Sequence, residues 1–79
     1  MTLIKSNTVS GTTSGWGWLE TNISSSNIMI LSAVDNLGYT DIPSISANKW
    51  RFLVAAGGTE SVSAIRHTAI TITYYYIEI

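Results

Sequence analysis

The last twelve residues, TAITITYYYIEI at positions 68–79, restrict the fold more than any other stretch. Thr, Ile and Tyr are β-branched or aromatic residues that suit a pleated, half-buried surface, and neither Gly nor Pro interrupts the run. At a period of two, Ile70, Ile72, Tyr74 and Tyr76 fall on one face, with Thr71, Thr73, Tyr75, Ile77 and Ile79 on the other. The first face is apolar throughout and is expected to look into a core. The second starts polar and becomes apolar at Tyr75, Ile77 and Ile79, so a cover is expected near the end of the strand.

The remainder of the chain follows the same regime. Helical periodicity is missing, and Val, Ile, Thr, Tyr and Trp collect in short runs separated by Gly, Ser and Asn, the pattern of an all-β domain with five or six strands. A first strand is expected over residues 2–9, followed by a loop over 10–15 and an extended segment over 16–21. Residues 27–34 are apolar on both alternating faces, Ile28, Ile30 and Val34 against Met29, Leu31 and Ala33, which predicts a central strand covered on both sides. Residues 35–43 hold turn formers and Pro43 and are expected to form a long surface connection. In residues 50–56, Trp50, Phe52, Val54 and Ala56 alternate with Arg51, Leu53 and Ala55, giving one large apolar face. Gly57 and Gly58 then turn the chain, and a three-residue loop with Thr59 would pair Val54 with Val62 and Phe52 with Ala64.

Seventy-nine residues make one domain, residues 1–79, and a chain of this size buries only about 60 to 65% of its unfolded surface. Small domains compensate with disulfides, metals or oligomerisation. The chain has no cysteine and one histidine, which leaves oligomerisation. Charged residues are only 11% of the chain and the net charge is −1, with Lys5, Lys49, Arg51 and Arg66 scattered. No basic stripe exists to neutralise phosphates, so nucleic acid is excluded as an expected partner. The longest apolar runs fall far short of the roughly 20 residues of a membrane-spanning helix, and no membrane insertion is expected.

Reaction chemistry finds little support. His67 would need Glu20, Asp35, Asp41, Glu60 or Glu78 to build a metal site, and no two of these show ligand-like spacing. It is read as structural or solvated. No nucleophile-elbow pattern is present, so neither an enzyme nor a cofactor is expected. The segment Gly15-Trp16-Gly17-Trp18 lacks the lysine and helix of a phosphate loop. Two readings stand for it: Trp16 and Trp18 share a strand face and fill the core or a subunit interface, or they present flat surfaces for a sugar ring. Trp50 is expected in the core. Asp35, Asn36, Tyr39 and Asp41 offer planar polar groups and an aromatic surface suited to saccharide hydroxyls, although Asn and Asp also favour turns for their own sake. Asn22-Ile23-Ser24 matches the glycosylation pattern and is read as incidental.

From Ala47 onward, ANKWRFLVAAGG followed by TAITITYYYIEI resembles the C-terminal head domains of bacteriophage tail fibres and related appendage proteins. The resemblance covers roughly the last 33 residues and is one of pattern. It implies a small antiparallel β-sandwich of jelly-roll type, trimeric at a fibre tip, on the virion and extracellular when it functions. It also implies a non-enzymatic receptor-binding role toward a bacterial surface glycan. The His-x-His metal-binding pairs of some long tail fibres are absent here, so a trimer would rest on apolar packing alone. Under this reading Trp16, Trp18, Asp35, Asn36, Tyr39 and Asp41 contact the glycan, and Tyr75, Ile77 and Ile79 touch another subunit. The alternative is a structural virion assembly or decoration protein without a ligand, its aromatics buried between subunits. The chain would be either a stand-alone virion protein or a fragment with an added methionine.

Overall fold

A computed structural model of the chain describes residues 3–56 and 64–79. Among these, six antiparallel strands and no helix occur: β1 (Lys5–Thr12), β2 (Trp18–Ser24), β3 (Ile28–Asp35), β4 (Thr40–Ser46), β5 (Lys49–Leu53) and β6 (Ala69–Glu78). They form one sheet in the order β1-β6-β3-β4-β5-β2, curled until β1 and β2 approach each other, so that the barrel is nearly closed. The leaf β1-β6-β3 meets the leaf β4-β5-β2 at the β3–β4 corner, where the ladder consists of Ala33 opposite Asp41 and Val34 opposite Thr40.

The interior is the alternation read from the sequence, completed in space. Ile70, Ile72 and Tyr74 of β6 are buried and Tyr76 packs against them, with Leu19, Ile30, Ala33, Trp50, Phe52 and Val54 filling the rest. Aromatic rings run through this core, Phe52 to Tyr74 at 5.9 Å and Tyr74 to Tyr76 at 5.5 Å between centroids, in tilted arrangements that suit the ring quadrupoles. Trp50 is buried as expected, and its indole Nε1 donates to Ile28 O at 3.3 Å, tying β5 to β3 behind β4. That bond satisfies the one polar atom of a core tryptophan.

Several sequence expectations need correction. β1 runs from Lys5 through Thr12, across the stretch read as a loop, because its pairing to β6 continues to Thr12 opposite Ala69. The strand is mostly exposed, which is why its composition imitates a loop. In β3 a bulge falls between Ile30 and Ser32, and one extra residue flips the phase of everything beyond it. Ile28, Ile30, Ala33 and Asp35 therefore look inward. Met29, Leu31 and Val34 look outward and remain over 40% exposed, so β3 is covered on one face by this chain.

The long connection over residues 35–43 is instead a tight turn leading into β4. Asp35 Oδ1 accepts the amides of Leu37 at 2.9 Å and Tyr39 at 3.1 Å, while Asp35 N donates to Tyr39 O at 3.1 Å. An aspartate that captures the amides ahead of it compacts the turn. Ala55 bridges Ala64, and Phe52 pairs with Leu19 and Pro43. The expected pairing of Phe52 with Ala64 is thus replaced. The three-residue loop and the partner Val62 lie outside the described residues.

Candidate functional site

Antiparallel order sends the connections of alternate hairpins to opposite ends of the barrel. The end that holds the β1–β2 connection also holds the β3–β4 turn and the start of β6. Trp16, Trp18, Asp35, Asn36, Tyr39 and Asp41, apart in sequence, are therefore gathered at one end, though not as one exposed surface.

Ser14 organises the β1–β2 connection. Its Oγ accepts the amides of Trp16 and Trp18, each at 3.2 Å, its N donates to Trp18 O at 2.8 Å, and its O accepts Gly17 N at 3.1 Å and His67 N at 3.3 Å. The turn so fixed lifts Trp16 away from the barrel, 66% exposed. Trp18 opens β2 and is half-buried, with the Arg51 guanidinium 3.7 Å from its ring centroid. The two tryptophans do not share a strand face as expected, because Trp16 precedes the strand. His67, at φ 50°, lies against Gly15 on this same turn and is exposed.

Exposure separates the polar candidates. Asn36 is exposed, yet its backbone N donates to Thr71 O at 3.0 Å and its Oδ1 accepts Thr71 N at 3.1 Å, so the residue continues the sheet beside β6. Tyr39 is half-buried. Asp35 and Asp41 are 8% and 2% exposed and point into the barrel, so a saccharide outside the barrel does not meet them. Burial, reinforced by the neighbouring Asp35 carboxyl, pushes the Asp41 carboxyl up to about 8.

The sequence did not single out the recess that lies beside this turn. Ser10, Gly11 and Thr12 of β1, Ala69, Ile70 and Thr71 of β6, and Asn36 line an open hollow of about 360 Å³. Its polar lining is hydroxyl and amide, and none of the lining side chains is charged. Ser10 Oγ and Thr71 Oγ1 share a hydrogen bond of 2.9 Å. The signal available in the sequence was Ser and Thr at alternate positions 6, 8, 10 and 12 and again at 71 and 73, which pair as two outward rows.

At the opposite end of β6 stand the residues expected at a subunit contact. Tyr75 is 38% exposed, Ile77 is half-buried and Ile79 is 76% exposed. Beside them on β3, Met29 lies opposite Ile77, and Met29, Leu31 and Val34 extend the apolar surface. Lys5 and Glu78 form an ion pair at its edge. Among the described residues no group of three or more His, Asp or Glu could hold a metal, and no helix is long and apolar enough to cross a membrane. Compared with known protein families, curated proteins and solved structures, the chain matches none.

Proposed function

We propose that this domain is a non-enzymatic binding head of a bacteriophage or phage-like appendage, carried on the virion, that recognises a bacterial surface glycan. The observation that carries the reading is the pairing of an exposed indole with a neutral recess at one end of the barrel. Trp16 is held out by the Ser14 hydrogen bonds, and the β1–β2 connection that bears it begins at Thr12, on the rim of the recess. Sugar rings stack on indole faces, and their hydroxyl arrays are matched by Ser, Thr and Asn. The contacts are accordingly Trp16, Asn36 and the hydroxyls of Ser10, Thr12 and Thr71, with Trp18 and Tyr39 as flanking aromatics. The carboxylates Asp35 and Asp41 leave the contact set because they are buried.

The jelly-roll form of the sandwich is supported by the nesting of the pairs: β1 with β6, β2 with β5, and β3 with β4, as a long hairpin rolled on itself would give. Trimerisation through the outer face of β6 and β3 is supported by the apolar surface of Met29, Leu31, Val34, Tyr75 and Ile77.

That same surface favours the second reading, a decoration or assembly module with no ligand. Acrylamide quenching of the assembled oligomer, followed by a screen of bacterial surface polysaccharides for an emission change, separates the two. Binding predicts an accessible Trp16 and a saturable glycan response. Shielded tryptophans with no response to any polysaccharide would leave the assembly reading.

A further inference from the structure

Two carboxyls lie inside the barrel with almost nothing to satisfy them. Asp35 Oδ1 is committed to the amides of Leu37 and Tyr39. Asp35 Oδ2 and both oxygens of Asp41 are buried and receive no hydrogen bond from any N–H or O–H donor among the described residues. Two acceptor groups side by side can bond only if one of them carries a proton. Ionising both would place like charges together in a medium that solvates neither.

A metal is a poor occupant. Three free oxygens fall short of the roughly six to eight that calcium takes, and no third acidic side chain joins the pair among the described residues. A proton relieves the pair: protonated Asp41 can donate to Asp35 Oδ2, the oxygen left over once Asp35 Oδ1 has accepted its two amides. Burial and the neighbouring carboxylate both raise the affinity of Asp41 for that proton.

The surroundings leave Asp35 as the charged group acting on Asp41. Along the row of Asp41 come Ala33 of β3 and then Tyr74 of β6, whose phenol is itself raised by burial. β5 contributes Phe52 and Val54 to the interior, and β2 contributes Leu19. Arg51 turns outward onto Trp18, His67 lies on Gly15, and Tyr39 touches the pair through its backbone amide.

Position gives the pair its consequence. Asp41 belongs to the two-residue ladder by which β3 holds β4, and that ladder is the backbone joint between the two leaves, since β1 and β2 form no ladder among the described residues. We propose that Asp35 and Asp41 share one proton that locks the β3–β4 joint, and that the lock weakens progressively as rising pH favours release of this proton. The device is independent of what the domain binds.

The test is a titration of the whole chain by carbon-detected NMR of the Asp side-chain carboxyls from pH 3 to 10. It is accompanied by amide exchange at Ala33, Val34, Thr40 and Asp41. Asp41 is expected to titrate near 8. Between about pH 4 and 8 the joint amides should gain up to roughly a further tenfold in exchange per pH unit beyond intrinsic base catalysis, because opening releases the proton, and the extra slope should vanish above about 8. The β1–β6 amides should show no such gain. Asp41→Asn keeps a donor in place of the proton and should abolish the extra slope. If that variant does not fold, the contrast between joint and β1–β6 amides in the native chain decides. Asp41 titrating below pH 5, or joint amides that follow the β1–β6 amides throughout, would overturn the proposal.

Discussion

Gly17 and Val54 are held against each other twice. Val54 N donates to Gly17 O at 2.8 Å, and Val54 O, which accepts Ile65 N at 2.9 Å, lies 2.9 Å from the point that a Cβ on Gly17 would occupy. Gly17 also has φ +84°, a conformation that L side chains adopt at a cost. This contact seats the β1–β2 connection, and with it Trp16, on the end of β5.

Gly17→Ala should therefore lower stability by about 2 kcal/mol, from the left-handed backbone together with a clash against a carbonyl that cannot move without losing Ile65. In a chain of this size the melting temperature should fall by roughly 8 to 16 °C. Gly38→Ala, at φ +95° but with nothing near its Cβ, should cost about half as much. Equal melting temperatures for the two variants would remove the close-approach component.

Arg51 sits over the Trp18 ring and reaches Glu20 at 3.5 Å. Stacking on the indole contributes about 0.5 to 1 kcal/mol at a partly exposed site, whereas an exposed ion pair contributes little. Arg51→Ala should destabilise by about 1 kcal/mol in urea unfolding and make Trp18 more accessible to quenchers, and Glu20→Gln should change stability by under about 0.5 kcal/mol. A larger cost for Glu20→Gln than for Arg51→Ala would reverse this assignment.

Stability should fall as pH rises. The Asp41 carboxyl is raised from 3.8 to about 8 in the folded chain, so between those values the folded state keeps a proton that the unfolded chain has released. Its stabilising contribution is complete below about 4, declines by at most about 1.4 kcal/mol per pH unit, and is gone above about 8. Urea midpoints at pH 5, 7 and 9 check this, with Asp41→Asn expected to show a flatter profile and to exceed the native chain at pH 9.

Legibility in the sequence depended on how much of each strand's environment lies within the strand itself. β6 and the start of β5, Trp50 and Phe52, could be read because period-two alternation and burial coincide there, whereas Leu53, Val54 and Ala55 are all buried and Ala56 is exposed, so the expected alternation ends at Phe52. β1 could be read only as far as Val9, since its last residues, Ser10 to Thr12, imitate a loop and only the pairing with β6 shows that the strand continues. One bulged residue at Leu31 exchanged the faces of Ala33 and Val34, and no local signal marks it. The β4–β5 turn places Ala47 and Asn48 at φ 52° and 65°, a geometry usually announced by glycine. Of the candidate site, the exposed Trp16 was within reach of sequence reasoning. The burial of Asp35 and Asp41 was not, because turn chemistry and ligand chemistry use the same residues. The recess is assembled from two strands and a turn that meet only in three dimensions.

The apolar strip on the outer face of β6 and β3 should be covered in solution. Light scattering is expected to give a multiple of the 8.6 kDa chain mass, most simply three chains. Ile77→Asp, placed opposite Met29, should reduce it to a single chain while the β-sheet circular dichroism persists. An unchanged assembly would move the contact away from this face.

Binding by the Trp16 end is tested most directly by titrating purified bacterial surface polysaccharides into the native chain and into Trp16→Ala, with intrinsic emission and calorimetry as readouts. The native chain should show saturable binding to at least one polysaccharide. Trp16→Ala, which removes a side chain 66% exposed, should lose that binding by tenfold or more, on the order expected for loss of one aromatic stacking contact, with its melting temperature unchanged. No binding by the native chain across the set, or equal binding by Trp16→Ala, would contradict a glycan-recognising head.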